Sequence, residues 1–104
     1  MTRRIIRGVE ARRDLVRHYM YMSAAADIDT ARRLLQAIRD ALKLLCESPE
    51  LGSRREFRDS ALAGLRMWPI RSFQESLTFY IPIDDGIQVV RVLHAKEDYT
   101  RILE

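Results

Sequence analysis

Four side chains in the second half of the chain, Arg66, Tyr80, Arg91 and His94, are of the types that phosphoryl chemistry uses. Arginine stabilises charge developing on a phosphate and histidine exchanges a proton near neutral pH, so the set could in principle cleave RNA. Each also has a plainer reading. A histidine at a strand end is more often a hydrogen-bonded structural residue, an arginine beside it can stack or form a surface ion pair, and a tyrosine can be half-buried sheet packing. Other motifs that carry a mechanism are absent: the chain has no phosphate-binding glycine loop, nucleophile elbow or CxxC, and His18 and His94 are too far apart for zinc spacing. Cys46 is the single cysteine, which excludes an internal disulfide and a four-cysteine metal cluster, so no metal and no cofactor is expected. Beside Leu45, Cys46 reads as a buried small hydrophobe.

The net charge of +3 is too small to imply a nucleic-acid partner, but its make-up is unusual. Of 18 basic residues, only Lys43 and Lys96 are lysine. Arginine favours planar, bidentate contacts to carboxylate or phosphate, although a compositional bias of the genome would leave the same mark. The charge is also polarised. Residues 1–17 hold six arginines against Glu10 and Asp14, and residues 54–71 hold five against Glu56 and Asp59, whereas residues 72–104 are net acidic. If the two arginine-rich stretches meet in space they form one basic surface suited to an acidic partner.

These residues need elements to position them. Arg3 to Arg7 is too short for a helix and reads as a strand. Ala11, Leu15, Tyr19 and Met22 recur at helical spacing, which predicts a helix over about 9–23 with Arg13, Asp14 and Arg17 toward another face, and His18 as an ordinary helix residue. Asp27 is a candidate N-cap for a second helix over about 28–47, whose apolar positions run from Ile28 to Leu45. Ser48-Pro49-Glu50-Leu51-Gly52 stops it. Strands are expected at 65–70, 76–83 and 87–94, with Asp84-Asp85-Gly86 as a tight turn and with Pro69 and Pro82 ending or bulging their strands. On the last strand Ile87, Val89, Arg91 and Leu93 share one face and Val90, Val92 and His94 the other, both largely apolar, as in an interior strand. Residues 53–64 read as loop or a helical turn with Arg54, Arg55 and Arg58 exposed. Residues 96–103 could add a short helix with Tyr99, Ile102 and Leu103 turned inward. Trp68 reads either as core, with Met67, Ile70 and Phe73, or as an aromatic anchor at an interface.

The expectation is one α+β domain over 1–104, an N-terminal strand and a helical hairpin packed on a small antiparallel sheet. Apolar runs are far shorter than a membrane span, and the start MTRRIIRG lacks the apolar stretch of a secretory signal, so a cytoplasmic protein with no membrane partner is expected.

The order of strand, helical hairpin ending in Ser48-Pro49-Glu50-Leu51-Gly52, Leu65-Arg66-Met67-Trp68-Pro69-Ile70, Leu77-Thr78-Phe79-Tyr80 and Arg91-Val92-Leu93-His94-Ala95-Lys96-Glu97-Asp98 resembles the ParE branch of the RelE/ParE toxin superfamily. The resemblance spans nearly the whole chain. It implies the toxin of a type II toxin–antitoxin system, of the kind that stabilises plasmids. Such a toxin is held in a hetero-oligomer by a ParD-like antitoxin, which alone would contact operator DNA. ParE toxins inhibit DNA gyrase and need no catalysis of their own. RelE-like relatives cleave mRNA with a cluster of Lys, Arg and a late Tyr or His, and here the lysines are missing. Gyrase inhibition is therefore the expected activity. The alternatives are an mRNA endoribonuclease using Arg66, Tyr80, Arg91 and His94, and an inactive antitoxin-binding module. Arg12, Arg13, Arg17, Arg66 and Trp68 are the expected antitoxin contacts, and Arg91, His94 and Lys96 the expected target contacts.

Overall fold

In the computed structural model, which describes residues 3–103, the order of elements is β1 (Arg4–Arg7), α1 (Val9–Ala25), α2 (Ile28–Glu47), β2 (Ser53–Arg54), β3 (Arg66–Ile70), β4 (Phe73–Ile83), β5 (Gly86–His94) and α3 (Tyr99–Leu103). The α2 helix forms where the apolar spacing demands it: Ala31, Leu34, Ile38, Ala41, Leu42, Leu45 and Cys46 are buried along one stripe. Its start is fixed by Asp27, whose carboxylate accepts from the Thr30 amide at 2.6 Å. A one-turn 3-10 segment, Pro49–Leu51, follows its end. No helix among the described residues is long and apolar enough to cross a membrane.

The five strands form one sheet in the order β1-β5-β4-β3-β2. All neighbours are antiparallel except β1, which joins β5 in parallel at the edge of the sheet. The β5 strand is interior, as its two apolar faces require. The Asp84-Asp85 turn needs Gly86, whose φ of +155° and approach to the Arg4 carbonyl leave no room for a Cβ.

Two regularities expected of the strands fail for identifiable reasons. Phe79 pairs with Arg91 but Tyr80 with Val89, so Val90 is an extra residue in β5. This bulge resets the alternation: Ile87, Val89 and Val92 all enter the helix-side core, while Leu93 lies in the core beyond the sheet. Pro69 does mark a bulge, but Pro82 does not end β4, which continues to Ile83. Pro82 lies past the Tyr80–Arg66 pair, where β3 no longer flanks β4 and a missing donor is tolerated.

The hairpin of α1 and α2 covers one face of the sheet. On the other face Leu65, Leu77, Phe79, Leu93 and Leu103 form a second, smaller core, closed by Phe57, Leu62 and Tyr99. The 53–64 segment and α3 therefore cover that face. Tyr99 lies against Phe79 with ring centroids 5.3 Å apart. Of the three α3 residues expected to turn inward, Ile102 is instead exposed, since a five-residue helix has room for only a narrow buried stripe.

The two arginine-rich stretches do not meet. The first forms β1 and the start of α1, and the second β2, β3 and the segment between them, at opposite edges of the sheet. The condition for a single basic surface is therefore not met, and the two stretches make two separate ones.

Candidate functional site

Arg66 and Tyr80 are opposite each other on β3 and β4. Their polar groups are turned onto the segment that ends α2. The Tyr80 hydroxyl donates to the Pro49 carbonyl at 2.7 Å and accepts from the Gly52 amide at 2.8 Å. Arg66 Nη1 donates to the Glu50 carbonyl at 3.0 Å and to the Gly52 carbonyl at 2.6 Å. These groups satisfy backbone that the helix end leaves unpaired. Tyr80 is fully buried, deeper than the half-buried packing expected of it, and burial pushes its phenol above the usual value, against a smaller opposing effect of the Gly52 hydrogen bond. Gly52 is required by contact: a Cβ there would lie 2.5 Å from the Tyr80 hydroxyl.

Arg91 lies on the other flank of β4 and points away from this lock. Its Nε and Nη2 donate to the two carboxylate oxygens of Asp14 on α1, at 2.8 and 2.9 Å. That bidentate bond is the main cause holding the guanidinium pKa above its usual value. Asp14 Oδ2 also accepts from the Val92 amide at 2.9 Å, and His18 Nε2 lies 2.9 Å from the Val92 carbonyl. The pairing of β1 with β5 ends at Val89, so Val92 lies where a longer β1 would have bonded. Asp14 and His18, one helical turn apart, supply respectively the acceptor and the donor of the missing strand. Asp14, expected on a different face from the apolar residues of α1, is fully buried, and His18 is half-buried. Burial is the leading cause that holds the His18 pKa below its ordinary value. The signal in the sequence was the spacing of Ala11, Asp14, His18 and Met22, which places all four on one side of the helix.

His94 lines a cleft of about 710 Å³ at the end of the sheet, with Arg17, His18, Phe73, Glu75, Lys96 and Glu97 among its walls. Its Nδ1 accepts from the Lys96 amide at 3.1 Å, which places the ring proton on Nε2, 3.2 Å from Glu75 Oε2. The Glu97 carboxylate accepts from the His94 amide and lies 3.6 Å from Arg17. No group of three or more His, Cys, Asp or Glu side chains among the described residues is placed to hold a metal ion.

The structure therefore divides the residues singled out from the sequence. Arg66 and Tyr80 come together at the α2 end, and His94 and Lys96 come together at the cleft, with Arg91 engaged on Asp14. Trp68 is half-buried against the helix-side core. Arg12, Arg13 and Arg17 line a shallow groove on the outer side of α1 with Val16, Met20 and Tyr21, and so lie apart from Arg66 and Trp68. Val16, Met20 and Tyr21 are 60–67% exposed and form an apolar strip between arginines.

Comparison with known proteins agrees with this arrangement of elements. No curated protein matches the sequence. A chain of the chromosomal ParDE TA system from P. aeruginosa has the same fold with a TM-score of 0.66, at 17% identity over 89% of this chain and 96% of that one. The sequence profile described as "ParE toxin of type II toxin-antitoxin system, parDE" matches residues 5–99, from β1 through the start of α3. That span includes the helix end, the Arg66–Tyr80 lock and the Asp14–Arg91 pair, and with it the chain belongs to the ParE family of type II toxins.

Proposed function

We propose that this ParE toxin acts in the cytoplasm by binding and inhibiting DNA gyrase, without catalysis of its own, and is neutralised by a ParD-like antitoxin. One observation carries the non-catalytic part: each side chain that a nuclease would use is engaged by the fold. The Tyr80 hydroxyl and Arg66 hold the Pro49–Gly52 backbone, Arg91 holds Asp14, and both ring nitrogens of His94 have partners. A general acid or base must instead present a free proton or lone pair to substrate. Lys96 and the His94 cleft remain the proposed gyrase-facing surface, and Arg91 reaches its walls only through Asp14, which it shares with Arg17.

The antitoxin is assigned to the outer side of α1. There Val16, Met20 and Tyr21 offer apolar area and Arg12, Arg13 and Arg17 offer charge, which suits an amphipathic segment bearing acidic residues. The deciding assay is supercoiling by purified gyrase with increasing toxin. Supercoiling should fall with toxin and recover when antitoxin is added. Unchanged supercoiling at saturating toxin would overturn the gyrase reading, and transcripts cut in a manner lost on Arg91→Gln or His94→Gln would replace it with RNA cleavage.

A further inference from the structure

Arginine is neutralised unevenly across this molecule. Around β1 and α1, carboxylates meet three of the six guanidinium groups, with Arg4 2.8 Å from Asp85, Arg13 2.9 Å from Glu10 and Arg17 2.8 Å from Asp14, which Arg91 shares, whereas Arg3, Arg7 and Arg12 form no ion pair among the described residues. At the opposite edge, Arg54 and Arg66 are direct cross-strand neighbours on β2 and β3. Arg55 and Arg58 follow on the exposed segment, and Arg71 stands at the far end of β3. None of these five forms an ion pair with a carboxylate among the described residues. Asp59, the nearest acid to Arg58 in sequence, uses its carboxylate to accept from the Ala61 amide. Like charges directly opposite on adjacent strands oppose folding. Arg66 escapes by turning to the Glu50 and Gly52 carbonyls, which leaves Arg54, Arg55, Arg58 and Arg71 exposed to solvent.

The apolar content of this edge tells which anion suits it. Protein interfaces are anchored by large apolar side chains, and most of the exposed ones lie elsewhere, Ile6 on β1, Val9, Val16, Met20 and Tyr21 on α1, Ile28 and Leu44 on α2 and Ile102 on α3, with Leu51 alone bordering this edge. No large apolar side chain is exposed between residues 52 and 71. Single-stranded nucleic acid is held by exposed aromatic rings, whereas Phe57 and Trp68 are packed against the two cores. A duplex backbone needs neither feature. It is bound by charge and by guanidinium groups that fork onto phosphate oxygens.

We propose that Arg54, Arg55, Arg58 and Arg71 form a docking surface for the phosphate backbone of a nucleic-acid duplex, independent of base sequence and separate from the α1 groove. The inference does not depend on the gyrase reading, because its test contains no gyrase. The purified chain is titrated against a fluorescent DNA duplex of arbitrary sequence, and binding is followed by anisotropy as salt is raised. Four phosphate contacts predict a log–log salt slope of about −3.6, a loss of affinity of roughly 150-fold between about 50 and 200 mM salt. The R54Q/R55Q/R58Q variant should bind more than tenfold more weakly at low salt and flatten the slope by about 2.7, with an unchanged circular dichroism spectrum. The R12Q/R13Q variant on α1 should bind as the parent does, and a duplex of RNA should bind as well as one of DNA. Absence of binding at low salt, binding unmoved by the triple substitution, or equal loss in the α1 variant would each overturn the proposal. So would tighter binding of single strands, or of a polyglutamate peptide, which would make the ligand an unpaired strand or an acidic protein instead.

Discussion

The Tyr80 hydroxyl has a partner on each side, so removing it orphans the Gly52 amide and the Pro49 carbonyl together. Tyr80→Phe should therefore destabilise the fold by about 1–3 kcal/mol, read as a lower urea midpoint with an unchanged slope. A loss near zero would mean that water replaces the hydroxyl. At this scale the sequence displayed residue types but concealed their roles. The proline-glycine stop, Arg66 and Tyr80 are visible as separate signals about 14 to 30 residues apart, and nothing local shows that they close on one another. Asp14 was hidden for a different reason. Between Arg13 and Arg17 it reads as one more solvated charge, and only the unpaired end of β5, which lies 77 residues away, explains its burial.

An element that covers a sheet edge with side chains is more vulnerable than one that covers it with a strand. Asp14→Ala removes the partner of Arg91 and of the Val92 amide at once, and should cost about 3 kcal/mol or more, the usual penalty for breaking a buried ion pair. His18 makes the same edge sensitive to pH. Burial, helped by the neighbouring Arg17, outweighs the Val92 carbonyl, Glu97 and Asp14 and holds the folded pKa below the ordinary 6.5. The unfolded chain therefore takes up a proton that the folded one resists, so the His18 contribution to stability is intact above about pH 6.5 and declines as pH falls below it. The drop in urea midpoint between about pH 7 and 5.5 should be smaller in His18→Gln, and an equal drop in both proteins would remove His18 as the cause. Long elements were legible where one period ran unbroken, as in α2. The last strand was legible in its extent and interior place but not in which core each side chain enters, because the extra Val90 turns the alternation over midway and no residue type announces it.

Across the whole molecule, the α1 groove combines exposed apolar side chains with arginine, whereas the arginines of the β2–β3 edge have no carboxylate partner among the described residues. Met20→Glu lies on the α1 groove and is 65% exposed, so it should leave the melting temperature within about a degree or two while weakening antitoxin binding at least tenfold by calorimetry. Unchanged affinity would place the antitoxin elsewhere. The parallel pairing of Arg4–Arg7 with residues 86–89 has a further consequence, for the order in which the molecule comes into being. A ribosome making this chain delivers β1 first and its only partner strand more than 80 residues later, so the sheet cannot close while the chain is still growing through its middle. Val92, the strand edge that α1 must cap, is made later still. The cleft at the end of the sheet and the β5 edge that α1 caps thus acquire their shape together and late.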